Sequence, residues 1–274
     1  MSYYQGRSAV VTGAGSGIGQ ELAVQLAGLG ARVAAVDIDG AAAEQTASLC
    51  GKAGARAETA DITDYAVLAA LAPALAASLG GVDLLFCAAG IIHSGSLLDS
   101  DVTDFQRVIA VNLGGTVNTV KAFLPYLATS RAGHIVTFSS AFGLAAVPNY
   151  SAYCASKFGI RGLSEALRLE LALEGSPVTV TCVYPGAVRT PIVRSGTFAP
   201  SLNQAAVAAG FDRLARTSPA AAAATVLRKV SRGRGQAYVG ADARAVALAV
   251  RAAGGSLTGL LVRVLQGRAR RAAR

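Results

Sequence analysis

The sequence predicts an α/β fold, a doubly wound parallel sheet of about seven strands with helices on both faces. Short apolar runs alternate with helical patterns along the chain, which is the order expected for a parallel sheet. Gly13, Ala89, Ser140 and Pro185 each fall just where a predicted strand ends. Ligands bind beyond the carboxyl ends of the strands in such sheets, so these positions support the strand assignments and indicate one site.

The seven strands are expected near residues 7–12, 31–37, 54–60, 82–88, 133–139, 178–184 and 236–240. The chain has 274 residues, 53% of them hydrophobic, which is enough to bury one substantial core. We therefore expect a single domain over residues 1–240, followed by an extension over residues 241–274. The uncharged stretch 65–82 is long enough for a membrane span to be considered, but Pro73 and Gly80-Gly81 favour a crossover helix packed on the sheet.

A glycine-rich turn follows the first strand, and a helical pattern follows the turn. It reads Gly13-Ala-Gly-Ser16-Gly17-Ile18-Gly19. Glycine lets the backbone turn tightly and approach a ligand without a Cβ clash. The helix that follows offers unpaired N–H groups and a partial positive charge. Strand, glycine turn and helix together predict a site for a pyrophosphate.

The second strand ends in a carboxylate, Asp37, which lies 20 positions after Gly17. A carboxylate at this point suits a ribose diol and repels a 2′-phosphate. Neither Ser16 nor Ile38 is a basic residue that could receive such a phosphate. These residues favour NAD over NADP. The alternative is an ordinary acid at the end of a strand that caps the next helix.

Tyr153 and Lys157 are four residues apart, so on a helix they lie on one face. A neighbouring positive charge favours the phenolate and should lower the tyrosine pKa from its usual ~10. Such a phenol can exchange a proton at physiological pH. An exposed tyrosine beside a solvated lysine has the same spacing, so the pair is informative because it accompanies Ser140, 13 positions upstream of Tyr153, and Asn112.

The chain resembles the short-chain dehydrogenase/reductase family, in its single-domain form of about 250 residues, from about residue 7 to residue 240. The residues that carry the resemblance are Thr12, Gly13, Gly17, Ile18, Gly19, Asp61, Ala89, Gly90, Asn112, Ser140, Tyr153, Lys157, Tyr184, Pro185, Gly186, Val188 and Thr190. The family's Rossmann-type fold agrees with the sheet predicted above. One departure is Cys87-Ala88, where the family usually has two asparagines that bridge neighbouring strands.

The resemblance implies an enzyme that transfers a hydride between NAD and an alcohol or ketone. Tyr153 would be the general acid/base, and Lys157 would hold the nicotinamide ribose and lower the tyrosine pKa. Ser140 would bind the substrate oxygen, and Asn112 would position a water for proton return. Cofactor contacts are implied at Gly13, Ser16, Gly17, Ile18, Gly19, Asp37, Asp61, Ile62, Ala89, Gly90, Tyr153, Lys157, Pro185, Gly186, Val188 and Thr190.

Two further points concern the assignment of function. Ser139 competes with Ser140, but successive side chains of a strand point to opposite faces, and the family's spacing to the tyrosine favours Ser140. A cofactor-binding regulator or scaffold is the alternative to an enzyme. The complete set of Asn112, Ser140, Tyr153 and Lys157 argues against it, because a scaffold does not need these residues.

The substrate pocket is expected to be mainly apolar. Phe142, Leu144, Val147 and Ile192 are its predicted lining, and such a pocket accepts an apolar secondary alcohol or ketone. Arg194 could bind an acidic group of the substrate, but a surface position is favoured. His93 could line the cleft, but a solvated loop position is favoured.

No metal is expected, because His93 and His134 are the only histidines and belong to no cluster with ligand spacing. Four cysteines without paired spacing predict free thiols and a reducing compartment, so we expect a cytoplasmic location. Cys154 is next to the tyrosine, yet a space-filling role on the opposite helix face is favoured over reactivity. No signal peptide is evident before the first strand.

The net charge of +9 is concentrated near the C-terminus, since residues 211–274 carry +11 and residues 1–210 carry −2. Apolar residues recur at a helical period over 241–265, and Gly254-Gly255 divides this pattern into two short helices. Such a basic amphipathic extension can fold over the substrate cleft, pack within a homo-oligomer, expected to be a dimer or tetramer, or contact an anionic membrane peripherally. Nucleic-acid binding is not expected, because no aromatic residues interleave with the arginines.

Overall fold

The computed structural model describes residues 2–51 and 55–254, together with residues 259 and 262. Its strands are β1 (Ser8–Thr12), β2 (Arg32–Asp37), β3 (Ala55–Thr59), β4 (Leu84–Cys87), β5 (His93–Ser94), β6 (His134–Phe138), β7 (Thr179–Pro185), β8 (Thr197–Phe198) and β9 (Gln236–Val239). Its α-helices are α1 (Gly17–Gly28), α2 (Gly40–Leu49), α3 (Tyr65–Leu79), α4 (Val102–Ile109), α5 (Gly115–Ala128), α6 (Ser151–Leu173), α7 (Gln204–Leu214), α8 (Pro219–Val230) and α9 (Ala241–Ala253).

Seven of these strands form one parallel sheet in the order β3-β2-β1-β4-β6-β7-β9. The chain moves outward from β1 to β3, returns to β4 beside β1, and then moves outward in the other direction. This is the doubly wound, Rossmann-type α/β fold that the sequence predicts, and each predicted strand is confirmed within two residues at either end. The crevice where the order reverses lies between β1 and β4.

The strand register aligns the ends of the central strands. Thr12 pairs with Cys87, Cys87 with Thr137, and Thr137 with Cys182. The loops after these strands therefore leave the sheet along one edge, where a ligand can contact several of them at once.

Helices cover both faces of the sheet, which explains why its central strands are apolar at nearly every position. Adjacent residues of β1 belong to different layers, with Val11 packed against the layer of α1 and α8, and Val10 against that of α3 and α5. Leu26 and Phe123, one from each layer, are fully buried. Each such side chain contributes about 1.5–3 kcal/mol when it leaves water.

The alanine-rich stretch after Asp64 forms the expected crossover helix, α3. Asp64 caps it by accepting hydrogen bonds from the backbone N–H groups of residues 66 and 67, and Gly80 ends it with φ 68°. Leu68 and Leu75 are fully buried on its inner face. Among the helices of the described residues, none has the length and hydropathy needed to cross a bilayer.

The beginning of the C-terminal extension packs on the domain. Ala243 and Ala247 of α9 are buried, and Ala247 contacts a cluster that contains Leu144 and Tyr184. The helix ends at Ala253, before the predicted break at Gly254. The second predicted helix, with Leu257, Leu260, Val264 and Leu265, lies outside the described residues, as do the terminal arginines.

Candidate active site

The glycine turn between β1 and α1 requires its glycines for steric reasons. Gly13 has φ 70° and Gly17 has φ 56°, which are left-handed conformations that other residues rarely adopt. A Cβ on Gly13 would lie 2.4 Å from the Cα of Ala89, and a Cβ on Gly19 would lie 2.0 Å from the carbonyl oxygen of Gly13. The turn is therefore packed closely against the loop that follows β4.

The N-terminus of α1 is open to an anion. Ser16 is its N-cap residue, but the serine side chain makes no capping hydrogen bond, and the first turn contains no acidic residue. The first N–H groups of the helix and its partial positive charge therefore face the cavity that Ser16, Gly17, Ile18 and Gly19 line. These features fit a pyrophosphate.

Asp37 lies beside this turn at the end of β2. One carboxylate oxygen accepts a hydrogen bond from the backbone N–H of Gly15 at 2.7 Å, and the other accepts from the backbone N–H of Asp39 at 3.0 Å. The side chain also lines the cavity. The residue that caps α2 is Asp39 rather than Asp37, because the Asp39 side chain accepts from the N–H of Ala42. The alternative role for Asp37, capping the next helix, is therefore taken by its neighbour.

One cavity of about 930 Å³ runs along the carboxyl edge of the sheet. Its wall includes every residue for which the resemblance implied a cofactor contact. They are Gly13, Ser16, Gly17, Ile18, Gly19, Asp37, Asp61, Ile62, Ala89, Gly90, Tyr153, Lys157, Pro185, Gly186, Val188 and Thr190. The loops after β1 to β4, β6 and β7 thus contribute to a single elongated site.

Tyr153, Lys157 and Ser140 converge on this cavity. Tyr153 and Lys157 lie one turn apart on α6, and the Lys157 Nζ atom is 5.4 Å from the centre of the Tyr153 ring. Ser140 is the residue before a short 3₁₀ turn (Ala141–Gly143), and its hydroxyl accepts a hydrogen bond from the N–H of Phe142 at 3.1 Å. All three side chains line the cavity.

The pKa values of this pair differ from the sequence-based expectation. Burial raises the pKa of Tyr153 to about 12, although a hydrogen bond with the Ser140 side chain lowers it in part. Burial also lowers the pKa of Lys157 to about 8. The expected net lowering of the tyrosine pKa is therefore not found, because the loss of water around the phenol is the largest effect and raises the pKa.

Ser139 has a different role from Ser140. Its hydroxyl donates a hydrogen bond to the carbonyl oxygen of Lys157 at 2.7 Å and is buried. This hydrogen bond connects the end of β6 to α6 and fixes the turn of α6 that carries Lys157. Lys157 Nζ in turn donates to the carbonyl oxygen of Phe138 at 3.0 Å.

Asn112 lies in a π-helical turn (Ala110–Gly114) between α4 and α5. Its Oδ1 accepts from the N–H of Ile91 at 2.8 Å, and its Nδ2 donates to the Ile91 carbonyl and to Ser156 Oγ, both at 3.0 Å. A Cβ on Gly90 would lie 3.2 Å from Asn112 Oδ1 and 3.4 Å from Lys157 Nζ. Asn112 therefore holds the loop after β4 beside the lysine.

The substrate side of the cavity is lined by only part of the predicted set. Phe142 and Ile192 line it, as expected. Leu144 does not, because the 3₁₀ turn directs it into the core cluster with Tyr184. Val147 is half-buried and also lies outside the cavity wall. The predictions for Leu144 and Val147 are therefore corrected.

Several residues of the cavity wall were not predicted. Tyr150 packs against Phe142 with ring centres 5.3 Å apart, and its position three residues before Tyr153 was a usable signal. Arg107 of α4 and Asp242 and Val246 of α9 also line the wall. They are distant in sequence from the site motifs. For Asp242 and Val246, the one pointer in the sequence is the alternative that the C-terminal extension folds over the cleft.

His93 is buried, so the favoured solvated-loop position is wrong. Its Nδ1 is 2.8 Å from Thr197 Oγ1, its Nε2 is 2.9 Å from Ser100 Oγ, and it lies outside the cavity wall. Its strand β5 pairs with β8 in a small parallel sheet that the sequence did not predict. Arg194 lies at the surface, the position favoured from the sequence, and its Nη2 atom is 2.5 Å from Asp212 Oδ2.

The cysteines agree with the prediction of free thiols and with a space-filling role for Cys154. Cys50, Cys87, Cys154 and Cys182 are buried and free. Burial raises the pKa of Cys154, and burial raises that of Cys87 to about 12. Both thiols are therefore protonated at neutral pH and weakly reactive. Among the described residues, no group of three or more His, Cys, Asp or Glu side chains could hold a metal ion.

Comparison with known proteins agrees with this geometry. The model of a family described as "short chain dehydrogenase" matches residues 7–198. A protein of Mycobacterium tuberculosis named "Putative oxidoreductase SadH" is 42% identical over 259 residues, which cover 93% of this chain and 94% of that protein. The "2-dehydro-3-deoxy-L-rhamnonate dehydrogenase (NAD(+))" of a Sphingomonas strain is 37% identical, over 69% of this chain and 75% of that protein.

Solved structures give the same result for the fold. A short-chain dehydrogenase/reductase from Burkholderia phymatum in complex with NAD matches with a TM-score of 0.85 and 28% identity, covering 94% of this chain and 96% of that chain. A short-chain dehydrogenase from Mycobacterium paratuberculosis bound to NAD matches with a TM-score of 0.75 and 27% identity, covering 87% and 97%.

Proposed function

The chain belongs to the short-chain dehydrogenase/reductase family, and from that membership we propose an NAD-dependent oxidoreductase acting on an apolar secondary alcohol or the corresponding ketone. The observation that carries the proposal is the convergence of Ser140, Tyr153 and Lys157 with the glycine turn on one cavity. A scaffold could keep the glycine turn, but it would not need a phenol, a hydroxyl and an ammonium buried together at the wall of that cavity.

The residues around the crevice fit NAD. The turn at Gly13 and the uncapped start of α1 would hold the pyrophosphate, and Asp37 would accept from the adenosine ribose. Ile62 would contact the adenine, and Thr190 would contact the nicotinamide amide. When bound, NAD supplies the acceptor or donor of a hydride at its nicotinamide ring.

The protein would handle the proton. In oxidation, Tyr153 must first lose its own proton; its phenolate would then accept the hydroxyl proton of the substrate while Ser140 donates a hydrogen bond to the carbinol oxygen. In reduction, Tyr153 returns a proton to the same oxygen as the carbonyl becomes a hydroxyl. Because burial raises the pKa of Tyr153 to about 12, the phenol is protonated at neutral pH and is ready to act as the acid in ketone reduction.

The choice of NAD over NADP rests on Asp37. Its carboxylate lies at the cavity wall beside the turn that would hold the adenosine half of the cofactor. A 2′-phosphate there would meet a negative charge, and Ile38, which follows it on the wall, offers no positive charge. The NAD bound in the two similar structures supports the same choice.

The apolar substrate is supported by the side chains that surround Tyr153. Phe142 lies edge-on to the Tyr153 ring at 6.1 Å, and Tyr150, Ile92 and Ile192 belong to the same apolar cluster. A substrate carbon chain or ring can replace water against these surfaces, which contributes about 25 cal/mol for each Å² of apolar area buried.

The test is a screen of the full chain with ketones and secondary alcohols, followed at the absorbance band of the reduced nicotinamide. We expect apolar ketones to be reduced with NADH in preference to NADPH. Binding of NADH without turnover of any compound would favour the regulator or scaffold instead. Preference for NADPH would mean that Asp37 does not face the ribose.

A further inference from the structure

Asp242 brings a carboxylate to the wall of the cavity, beside the loop after β7. It lies in the first turn of α9, and Val246, one turn later on the same helix, lines the cavity as well. Apolar residues of the same cavity wall include Phe142, Ile192, Phe211 and Leu214. An apolar pocket with one placed polar group is typical of a site that fixes the orientation of its ligand.

The backbone holds this carboxylate in a defined position. Its Oδ2 accepts a hydrogen bond from the N–H of Ala187 at 2.7 Å. A Cβ on Gly186 would lie 2.1 Å from Asp242 Oδ1, and a Cβ on Gly240 would lie 2.4 Å from the same atom. Glycine at these two positions therefore leaves the space that the carboxylate occupies beside the loop after β7.

The second carboxylate oxygen, Oδ1, has no hydrogen-bond partner within the part of the chain that the structure describes, and the side chain is exposed. The Ala187 N–H and the partial positive charge at the start of α9 already offset part of the negative charge. Such a carboxylate does not require a cationic partner. Its remaining oxygen can accept a hydrogen bond from a neutral hydroxyl.

Arg107, which also lines the cavity, is already bound to other side chains of the protein. Its guanidinium donates to Thr197 Oγ1 at 3.2 Å and lies 3.6 Å from Asp104 Oδ1. The charge of Arg107 is therefore paired within the protein. Asp242 is in no ion pair among the described residues, so its Oδ1 keeps its capacity to accept a hydrogen bond from a ligand.

We propose that Asp242 is a specificity-determining residue that selects substrates with a second hydroxyl group. That hydroxyl would donate to Asp242 Oδ1 while the reacting oxygen lies at Tyr153 and Ser140. The inference rests on the proposed function, since it concerns the same cavity. It narrows the substrate class to hydroxyketones and diols with an apolar body.

The test compares methyl ketones of increasing chain length with the same ketones carrying a terminal hydroxyl. The value of kcat/KM with NADH is measured for the wild type and for Asp242→Asn. Asparagine can still accept from Ala187, but it puts an N–H₂ donor in place of the second oxygen. We expect the wild type to prefer the hydroxyketone at one chain length by about three- to tenfold, and the variant to lower this ratio, because a neutral amide bond replaces the bond to an ionised oxygen.

Absence of a preference at every chain length, or a preference that is unchanged in Asp242→Asn, would overturn the proposal. Asp212→Asn is the matched control, because it makes the same change of charge at an exposed position outside the cavity wall. It should keep the preference; if it loses the preference too, the effect is a long-range electrostatic one. A parallel loss of NADH affinity in Asp242→Asn would assign the residue to the cofactor site, against the proposal.

Failure of the proposed function would look different, because the wild type would then turn over none of the ketones. The same pairs are therefore also compared as ligands, by the rise they cause in the Tm of the protein with NADH. A larger rise for the hydroxyketone that disappears in Asp242→Asn supports the inference without turnover. Equal rises for both members of every pair contradict it.

Discussion

The ammonium group of Lys157 lies 5.4 Å from the centre of the Tyr153 ring, one helical turn further along α6. Both residues are buried, with 4% of Lys157 and 9% of Tyr153 exposed. Their charged forms are therefore both disfavoured, and the pKa of the phenol moves up to about 12 while that of the ammonium moves down to about 8. In the free protein, this pair is a neutral acid beside a weakened cation.

The first prediction concerns the titration of Tyr153 in the free protein. Because burial raises its pKa to about 12, we expect no ionisation of this phenol below pH ~10. The measurement is the ultraviolet difference spectrum between the wild type and Tyr153→Phe, recorded as the pH rises. A phenolate signal that is absent from the variant and appears near neutral pH would contradict this expectation.

The second prediction concerns the role of the same phenol in turnover. Tyr153→Phe keeps the ring that packs against Phe142 and removes only the oxygen. We expect ketone reduction to fall at least about 10²-fold, the usual size of an acid/base contribution, while NADH still binds. Initial rates and NADH fluorescence measure the two effects. Tyr150→Phe removes a hydroxyl from the neighbouring ring and is the matched control; normal turnover in Tyr153→Phe would refute the assigned role.

The third prediction is that Lys157 destabilises the fold that holds it. The pKa of Lys157 falls from its ordinary 10.5 to about 8 in the folded state, so the folded protein binds this proton less tightly than the unfolded chain. Removing the buried ammonium should stabilise the folded state by up to about 3 kcal/mol, and losing its hydrogen bond to Phe138 should offset part of this gain. At pH 7, replacing the lysine by methionine should therefore raise the free energy of unfolding by about 1–2 kcal/mol.

Denaturant unfolding of Lys157→Met measures this gain. The difference from the wild type should shrink as the pH rises from about 8 to 10.5, because the lysine then loses its proton in both states. Lys121→Met, at an exposed position on α5, is the control and should give no comparable gain. A loss of stability in Lys157→Met would mean that the ammonium holds the site together.

Much of the fold and of the candidate site can be predicted from sequence because the signals are local. The spacing of Tyr153 and Lys157, the glycine turn and the apolar strands all depend on neighbouring residues. The direction of the Tyr153 pKa could not be predicted, because it depends on how completely the rest of the fold removes water from the phenol. The same is true of Leu144, which a single 3₁₀ turn directs into the core.

Contacts between distant segments explain the other differences. His93 is buried because Thr197, more than a hundred positions later, pairs with it across β5 and β8. Asp242 reaches the cavity because the helix after β9 packs beside the loop after β7. Neither contact has a local sequence signal, so both require the folded chain to be identified.

The fourth prediction concerns Gly13. Alanine at this position would have to adopt the left-handed backbone conformation of Gly13. Its Cβ would also lie 2.4 Å from the Ala89 Cα, a backbone atom that can move only together with its loop. We expect Gly13→Ala to lower the free energy of unfolding by about 1–3 kcal/mol and to weaken NADH binding. Gly28→Ala, near the end of α1 with open space around it, should instead be neutral or stabilising by up to about 1 kcal/mol.

Thermal unfolding and NADH fluorescence of the two variants separate these effects. If Gly13→Ala unfolds at the wild-type temperature and binds NADH normally, the close approach of the turn to the loop after β4 is not needed. If Gly28→Ala is as damaging as Gly13→Ala, the loss arises from the helix rather than from the turn.

The last prediction concerns His134, which lies at the opposite end of the sheet from the cavity. The residue is buried at the start of β6, where its Nε2 is 2.8 Å from Thr181 Oγ1. Burial, helped by the positive charge of Arg7, lowers its pKa from the ordinary 6.5 to about 4. The unfolded chain therefore binds this proton more readily than the folded protein. The stability that His134 contributes is complete above pH 6.5 and is lost as the pH falls toward 4, by up to about 3 kcal/mol.

The measurement is the free energy of unfolding of the wild type and of His134→Gln between pH 7 and pH 4. Glutamine can keep a hydrogen bond to Thr181 and cannot take up a proton in this range. We expect the wild type to lose more stability on acidification than the variant, with the difference developing below pH 6.5. Carboxylates that titrate in the same range are common to both proteins and cancel in the comparison. Equal acid sensitivity of the two proteins would show that the imidazole reaches water and is not held neutral by the fold.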